Sequence, residues 1–174
     1  VMNLTYGKKG YKQFNNETNE LGKDLQIRKN ELLYLIDADT QAFNVLMDAL
    51  GAKSKAKNSE DENEIKEAEK KYYDATVQAT EVPLKVMSKI IELAEPLKRV
   101  AEIGNVNAAS DAGVGALLVQ SGVKSAGLNV KINLSGFDNS DEYKTATLKK
   151  MDDILSSVDN LTKNILEIVD SKIK

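Results

Sequence analysis

The chain has 174 residues, of which 24 are Lys or Arg and 27 are Asp or Glu, and its formal net charge at pH 7 is -3. That length suits one domain with a hydrophobic core, and the slightly acidic balance argues against a general attraction to nucleic acid. The absence of Cys and His excludes disulfides, thiolate nucleophiles, His-based triads and the commonest zinc ligands. Any acid–base chemistry must use Asp, Glu, Lys, Tyr or water.

No stretch of the sequence is apolar enough and long enough to span a bilayer, and no secretory signal opens it. We therefore expect a cytoplasmic protein that binds neither membranes nor nucleic acid. The sequence starts at Val1, in an apolar run without an initiator Met, which is typical of a fragment that begins inside a helix.

The first half of the chain carries apolar side chains at spacings of three and four, as amphipathic helices do. The first run predicts a helix that stops at Gly51, and the charged residues 53–62 predict a solvated loop. The second run contains Pro83 and Pro96, so we expect a kink near Val82 or a break into two helices. The two runs are Leu21, Leu25, Leu32, Ile36, Phe43, Leu46 and Leu50, and then Ile65, Ala68, Tyr72, Ala79, Val82, Val86, Ile90, Leu93, Leu97 and Val100.

The second half of the chain continues the helical pattern. Gly104 ends the second run, and Ser110 is predicted as an N-cap with Asp111 in the first turn of the next helix. Small residues at 112–116 would let helices approach closely. The last run, residues 148–169, has the same spacing of three and four.

Residues 129–134 alternate apolar and polar side chains as a strand does, but no other segment could pair with them, so a helix is predicted there. Residues 135–140 are rich in Gly, Asp, Asn and Ser and predict a turn. The sequence therefore predicts an all-α fold: an up-and-down bundle of long helices forming one domain over residues 1–174. The apolar stripes of these helices further predict a homodimer.

Asp39 lies on the apolar seam of the first long run, between Ile36 and Phe43. A carboxylate on that seam would lose its water, and carboxylates are rarely buried without a partner or a function. Two interpretations remain open from spacing alone: a polar residue that sets helix register, or a buried acid–base group beside a cavity.

Two further clusters of polar side chains are candidate binding residues. Asn105, Ser110 and Asp111 lie in a connection between helices, residues 104–111. Its side chains either cap helix ends, through Asn107, Ser110 and Asp111, or form a polar wall for a heteroaromatic ligand. Asn129 and Asn133 are four residues apart and share a helix face, which is either an exposed polar face or a pair of amides that reads a pterin edge. We expect five of these side chains to converge in one pocket: Asn105, Ser110, Asp111, Asn129 and Asn133.

Lys8 and Lys9 lie between two glycines in the sequence Gly7-Lys8-Lys9-Gly10. The spacing is not that of a phosphate-binding P-loop. The segment is either a solvated turn or a flexible basic turn that holds an anionic tail at the mouth of the pocket.

The same segments, in the same order, resemble one known family, that of formiminotetrahydrofolate cyclodeaminase and the related methenyltetrahydrofolate cyclohydrolases. The resemblance covers most of the chain, from Asn3 to about Leu134. The family normally opens with a Gly-rich segment and a helix before the first of these motifs, so we expect that this chain lacks them. The motifs are Asn3-Leu-Thr-Tyr-Gly-Lys-Lys9, Leu35-Ile-Asp-Ala-Asp-Thr-Gln-Ala-Phe43, Ala79-Thr-Glu-Val-Pro-Leu84, Gly104-Asn-Val-Asn-Ala-Ala-Ser-Asp111 and Leu128-Asn-Val-Lys-Ile-Asn-Leu134.

The resemblance implies an all-helical homodimeric enzyme without a metal or a permanently bound cofactor, with a tetrahydrofolate derivative as substrate and a formiminotransferase as a possible partner. It also implies that the catalytic aspartate is the second Asp of Asp-Ala-Asp, here Asp39. The reaction would be cyclisation of 5-formiminotetrahydrofolate with release of ammonia, or hydrolysis of methenyltetrahydrofolate. A helical interaction protein without activity is the alternative from another class.

Overall fold

In a computed structural model of the protein, which describes residues 1–173, helices account for most of the chain. They are α1 (Met2–Thr5), α2 (Asn15–Ala56), α3 (Glu62–Ile91), α4 (Ala94–Ile103), α5 (Ala109–Leu134) and α6 (Glu142–Lys172), with short 3₁₀ turns at Lys12–Phe14 and Val106–Ala108. No strand occurs among the described residues, so the all-α prediction is confirmed. The ambiguous segment 129–134 is the last part of α5.

The long helices run up and down. α2 packs against α3, α3 against α5, and α5 against α6. Opposite ends of α2 and α3 meet, because Glu31 pairs with Lys89 at 3.0 Å and Lys53 lies 4.5 Å from the centre of the Tyr72 ring. α3 therefore forms the middle of a layer that has α2 on one side and α5 on the other.

The core lies between α3, α5 and α6 and includes Met87, Val123, Val130, Met151 and Val158, all nearly inaccessible to solvent. Small residues in α5 allow the close approach that the sequence predicts. α2 contributes little to this core: of its 42 residues only Thr18, Leu35, Ala42 and Ala56 are buried.

Two helix boundaries differ from the sequence prediction. α2 does not stop at Gly51 but continues to Ala56, because Ala56 is buried and Lys53 packs on α3, so the loop is shorter than residues 53–62. Ser110 is not an N-cap, since the 3₁₀ turn before it leads directly into α5, although Asp111 does lie in the first turn.

The two prolines behave differently. α3 continues through Pro83, and the break into a second helix comes only after Ile91. Pro96 lies in the first turn of α4, where backbone N–H groups have no partner within the helix, so its missing donor costs nothing. Among the described residues, no helix is long and apolar enough to cross a membrane.

Truncation of Met87 tests the position of the core. Met87 is 0% exposed and packs beside Gly127 of α5, so Met87→Ala should lower the free energy of unfolding by about 2–5 kcal/mol. Urea denaturation followed by circular dichroism measures the change. Val45→Ala, on an exposed face of α2, is the control, and equal losses in both variants would contradict the assignment of the core.

Candidate functional site

A groove of about 420 Å³ opens between α2 and α5, with α3 as its floor. Asp39 and Thr40 of α2 form one wall, Asn129 of α5 stands on the other, and Pro83 of α3 lies between them. The remaining lining is apolar and consists of Leu32, Leu35, Ile36, Val86, Ile90 and Ala126. A mostly apolar groove with a few polar groups is suited to a flat heteroaromatic ligand.

Asp39 is the one ionisable side chain among the residues that line this groove. Within residues 1–173 no cluster of His, Cys, Asp or Glu could hold a metal ion. Lys89, on the same helix as Pro83, pairs with Glu31 and Glu92, and these hydrogen bonds raise its pKa. A proton transferred inside the groove would therefore have to involve Asp39 or water.

The prediction that Asp39 is buried is wrong, although the cavity expected beside it is present. The reason is that its neighbours on the seam, Ile36 and Phe43, are themselves 62% and 58% exposed. α2 packs onto α3 through the adjacent line of Leu35 and Ala42 instead. Within one subunit the apolar seam is therefore a surface, and spacing alone gave the wrong environment for the carboxylate.

Asn133 does not point freely into the groove. Its side-chain Nδ2 donates a hydrogen bond of 2.8 Å to the carbonyl oxygen of Ala79 in α3. Asn129, one helical turn earlier, is exposed and makes no side-chain hydrogen bond within the described part of the chain. Of the two amides predicted to read a ligand, Asn129 has the free donor and acceptor groups.

The cluster of Asn105, Ser110 and Asp111 lies far from the groove. The side chain of Asn105 donates to the carbonyl of Leu4 at 2.8 Å and accepts from the backbone N–H of Asn107, so it closes a turn as a cap does. Ser110 and Asp111 are exposed at the start of α5.

These residues are too distant to share the groove within one subunit. Asp111 and Asn129 are eighteen residues apart on α5, which is roughly 27 Å at the rise of an α-helix. Lys8 and Lys9 lie in an exposed turn, in which the backbone N–H of Gly7 donates a hydrogen bond to the side chain of Asn15. Asn15 is roughly 36 Å from Asp39 along α2. The expected convergence of all these side chains does not occur in a single chain.

Pro83 lines the groove, whereas the sequence predicted only a kink or a helix break there. Its position in the middle of an apolar helical run was the available signal, because a proline there exposes the carbonyl four residues earlier. The structure adds what the sequence could not show, namely that α5 supplies a donor to that carbonyl.

Comparison with known proteins identifies the family. The sequence profile described as Formiminotransferase-cyclodeaminase matches residues 1–153. The chain belongs to this family. A methenyltetrahydrofolate cyclohydrolase from Methylorubrum extorquens is 35% identical over 99% of the chain and 80% of its own length. The family resemblance found in the sequence is therefore confirmed.

Other members of the Formiminotransferase-cyclodeaminase family show the same relationship. A formimidoyltransferase-cyclodeaminase from Gallus gallus is 29% identical over 97% of the chain, which spans 30% of that protein. The crystal structure of formiminotetrahydrofolate cyclodeaminase from Thermotoga maritima matches with a TM-score of 0.78 and 25% identity, over all of this chain and 80% of its own. The relatives are enzymes named for folate one-carbon chemistry, so the chain is a member of an enzyme family.

Proposed function

We propose that the chain is a one-carbon folate enzyme that cyclises 5-formiminotetrahydrofolate to 5,10-methenyltetrahydrofolate and releases ammonia. The observation that carries the proposal is the groove that Asp39, Asn129 and Pro83 line together. Its apolar walls suit the pterin ring, and Asn129 offers both a donor and an acceptor to the ring edge. The cyclodeaminase from Thermotoga maritima, which shares the fold, supports this choice of reaction.

The chemistry needs a group that moves one proton. The formimino group reacts in its protonated form, N5–CH=NH2+. N10 of the substrate attacks its carbon, and a C–N bond forms while the positive charge moves from the formimino group to N10. Asp39 takes the proton from N10 and delivers it to the former formimino nitrogen, which leaves as ammonia when its bond to carbon breaks. The methenyl cation remains, so charge and atoms balance. The enzyme contributes the position of N10 and a carboxylate for proton transfer.

Hydrolysis of 5,10-methenyltetrahydrofolate to the 10-formyl compound is the second candidate, favoured by the 35% identity with the cyclohydrolase. Water would add to the methenyl carbon while Asp39 removes its proton. The hydroxyl proton of the adduct then moves to N5 as the bond between N5 and carbon breaks. Both reactions use the same groove and the same carboxylate, so the choice between them is a matter of substrate.

Measurement of both reactions on one preparation tests the proposal. With 5-formiminotetrahydrofolate, we expect the absorbance of methenyltetrahydrofolate to rise together with one equivalent of ammonia. With methenyltetrahydrofolate, a fall in absorbance and formation of the 10-formyl compound would establish the second candidate instead. If neither substrate were consumed faster than in buffer alone, both candidate reactions would be refuted.

We propose further that the active form is a homodimer in which a second copy covers the apolar face beside the groove. Large apolar side chains are exposed along α2 and along α5 on both sides of Asp39 and Asn129. This apolar face consists of Ile36, Phe43, Met47 and Leu50 of α2 and Val114, Leu118, Leu128 and Ile132 of α5. Exposed apolar side chains concentrated on two helices of one domain indicate an interface, and a two-fold dimer is the commonest such assembly.

The dimer would give a role to the predicted site residues that lie far from the groove in one subunit. A second copy on the apolar face would remove water from Asp39, which one subunit leaves exposed. It could also present its Lys8, Lys9, Asn105, Ser110 and Asp111 toward the groove, where the two lysines would hold the anionic glutamate tail of the folate. A formiminotransferase, supplying 5-formiminotetrahydrofolate, is the proposed functional partner, as the name of the Gallus gallus relative suggests.

A further inference from the structure

Pro83 leaves one carbonyl in α3 without its usual hydrogen-bond donor. In a regular α-helix the N–H of residue 83 would donate to the carbonyl of Ala79, but proline has no N–H. Ala79 is only 6% exposed, so water does not readily replace the missing donor. A buried carbonyl of this kind requires a partner from elsewhere in the protein.

Asn133 supplies that partner from a different helix. Its Nδ2 donates to the Ala79 oxygen at 2.8 Å, and the bond joins α5 to α3 next to the groove floor. Hydroxyl groups nearby do not serve the same carbonyl: Thr80 donates to the carbonyl of Thr76 at 2.7 Å, and Thr76 donates to that of Tyr72 at 2.7 Å. Asn133 is thus the side chain that donates a hydrogen bond to the carbonyl left without a donor by Pro83.

The bond connects residues that are one helical turn from the groove on each helix. Ala79 precedes Pro83, which lies in the groove floor, and Asn133 follows Asn129, which lies on the groove wall. The hydrogen bond therefore constrains the rotation and shift of α5 along α3 next to the groove. Loss of the bond would remove one polar constraint on the separation of Asn129 and Pro83, which the packing of α3 on α5 otherwise maintains.

We propose that Asn133 is a positioning residue, which holds the α3 carbonyl freed by Pro83 and thereby fixes the two walls of the groove relative to each other. The inference rests on the proposed function for its effect on turnover. Positioning of the groove walls, rather than direct substrate binding, is then the role of Asn133. The substrate contact on α5 is then left to Asn129, and Asn133 acts through the backbone of α3.

A double-mutant cycle between positions 133 and 83 tests this proposal, because Pro83→Ala restores a backbone N–H that can bond Ala79. In the native background Asn133→Ala should lower kcat/KM about ten-fold, mainly through kcat, since positioning acts on the reacting geometry. In the Pro83→Ala background the same substitution should change kcat/KM by less than about two-fold, since the carbonyl then has its own donor. Each variant is compared with the parent of its own background at a temperature where all are folded.

Hydrogen exchange of the backbone amides in residues 79–87 gives a second readout that does not need turnover. Asn133→Ala should speed their exchange in the native background and not in the Pro83→Ala background. If the native enzyme turned over neither folate, the proposed function would fail while this readout still decided the role of the bond. Equal exchange effects in the two backgrounds would overturn the positioning role.

Asn133→Asp is the conservative variant, because it keeps the size of the side chain and removes the donor. It should match Asn133→Ala in exchange and in kcat, and it keeps the test valid if Pro83→Ala does not fold. Full activity of Asn133→Asp would overturn the proposal. A rise in KM alone, with kcat unchanged, would also overturn the positioning role. It would indicate that Asn133 contacts the substrate directly.

Discussion

Asp39→Asn should lower kcat by at least about 100-fold and leave the fold intact, because general acid–base groups typically contribute factors of that size or more. Asparagine has nearly the same shape as aspartate but cannot take the proton from N10. Asp39 is exposed in one subunit and makes no ion pair in the described part of the chain. The free energy of unfolding of a single subunit should therefore change by less than about 0.5 kcal/mol.

Asp37→Asn is the matched control for that experiment. Asp37 is two residues away on α2, is also exposed, and does not line the groove. It should keep nearly native kcat and KM, as measured by the absorbance of methenyltetrahydrofolate. Equal loss in both variants would indicate a general effect of charge on α2, and a fully active Asp39→Asn enzyme would remove Asp39 from the catalytic step.

Disruption of the apolar face should produce a monomer with little activity. The native protein is expected to sediment as a dimer at micromolar concentration, with the second copy covering Phe43 and Leu118, which are 58% and 67% exposed in one chain. Phe43→Asp and Leu118→Asp each place a charge in that contact, where it would be desolvated and unpaired. Leu118 is about two turns from the groove end of α5, so its effect on activity would report assembly rather than a lost substrate contact.

Tyr34→Asp controls for the introduction of a charge on an exposed side chain. Tyr34 is 73% exposed on α2 but outside the apolar face, so this variant should remain dimeric and active. Sedimentation velocity and turnover are measured on the same samples. A native protein that is monomeric and fully active at micromolar concentration would contradict the dimer proposal.

The exposed aspartate and the dimer are linked by one physical argument. α2 is the longest helix, yet only four of its residues are buried, and its apolar seam faces solvent. Covering that seam would gain hydrophobic free energy and would also place Asp39 in a drier environment. The seam is exposed in one chain and would then be buried in the assembled protein.

The sequence by itself determined the helical class and most helix positions. Apolar residues three and four apart record which face of each helix avoids water, and this local pattern predicts a helix whatever packs against it. It correctly made residues 129–134 helical and ended α4 at Gly104. The order of five motifs also identified the family, because their joint occurrence is far more specific than any one of them.

The tertiary structure determined whether each apolar helix face packs against another helix or faces solvent. The same spacing that buries Met87 leaves Phe43 in solvent, because burial depends on which helix lies opposite and not on the helix itself. Only the packing of α5 against α3 shows that the amide of Asn133 is taken by Ala79, while that of Asn129 faces the groove. Two amides one helical turn apart look alike in sequence, and they differ because one lies opposite a carbonyl that a proline has freed.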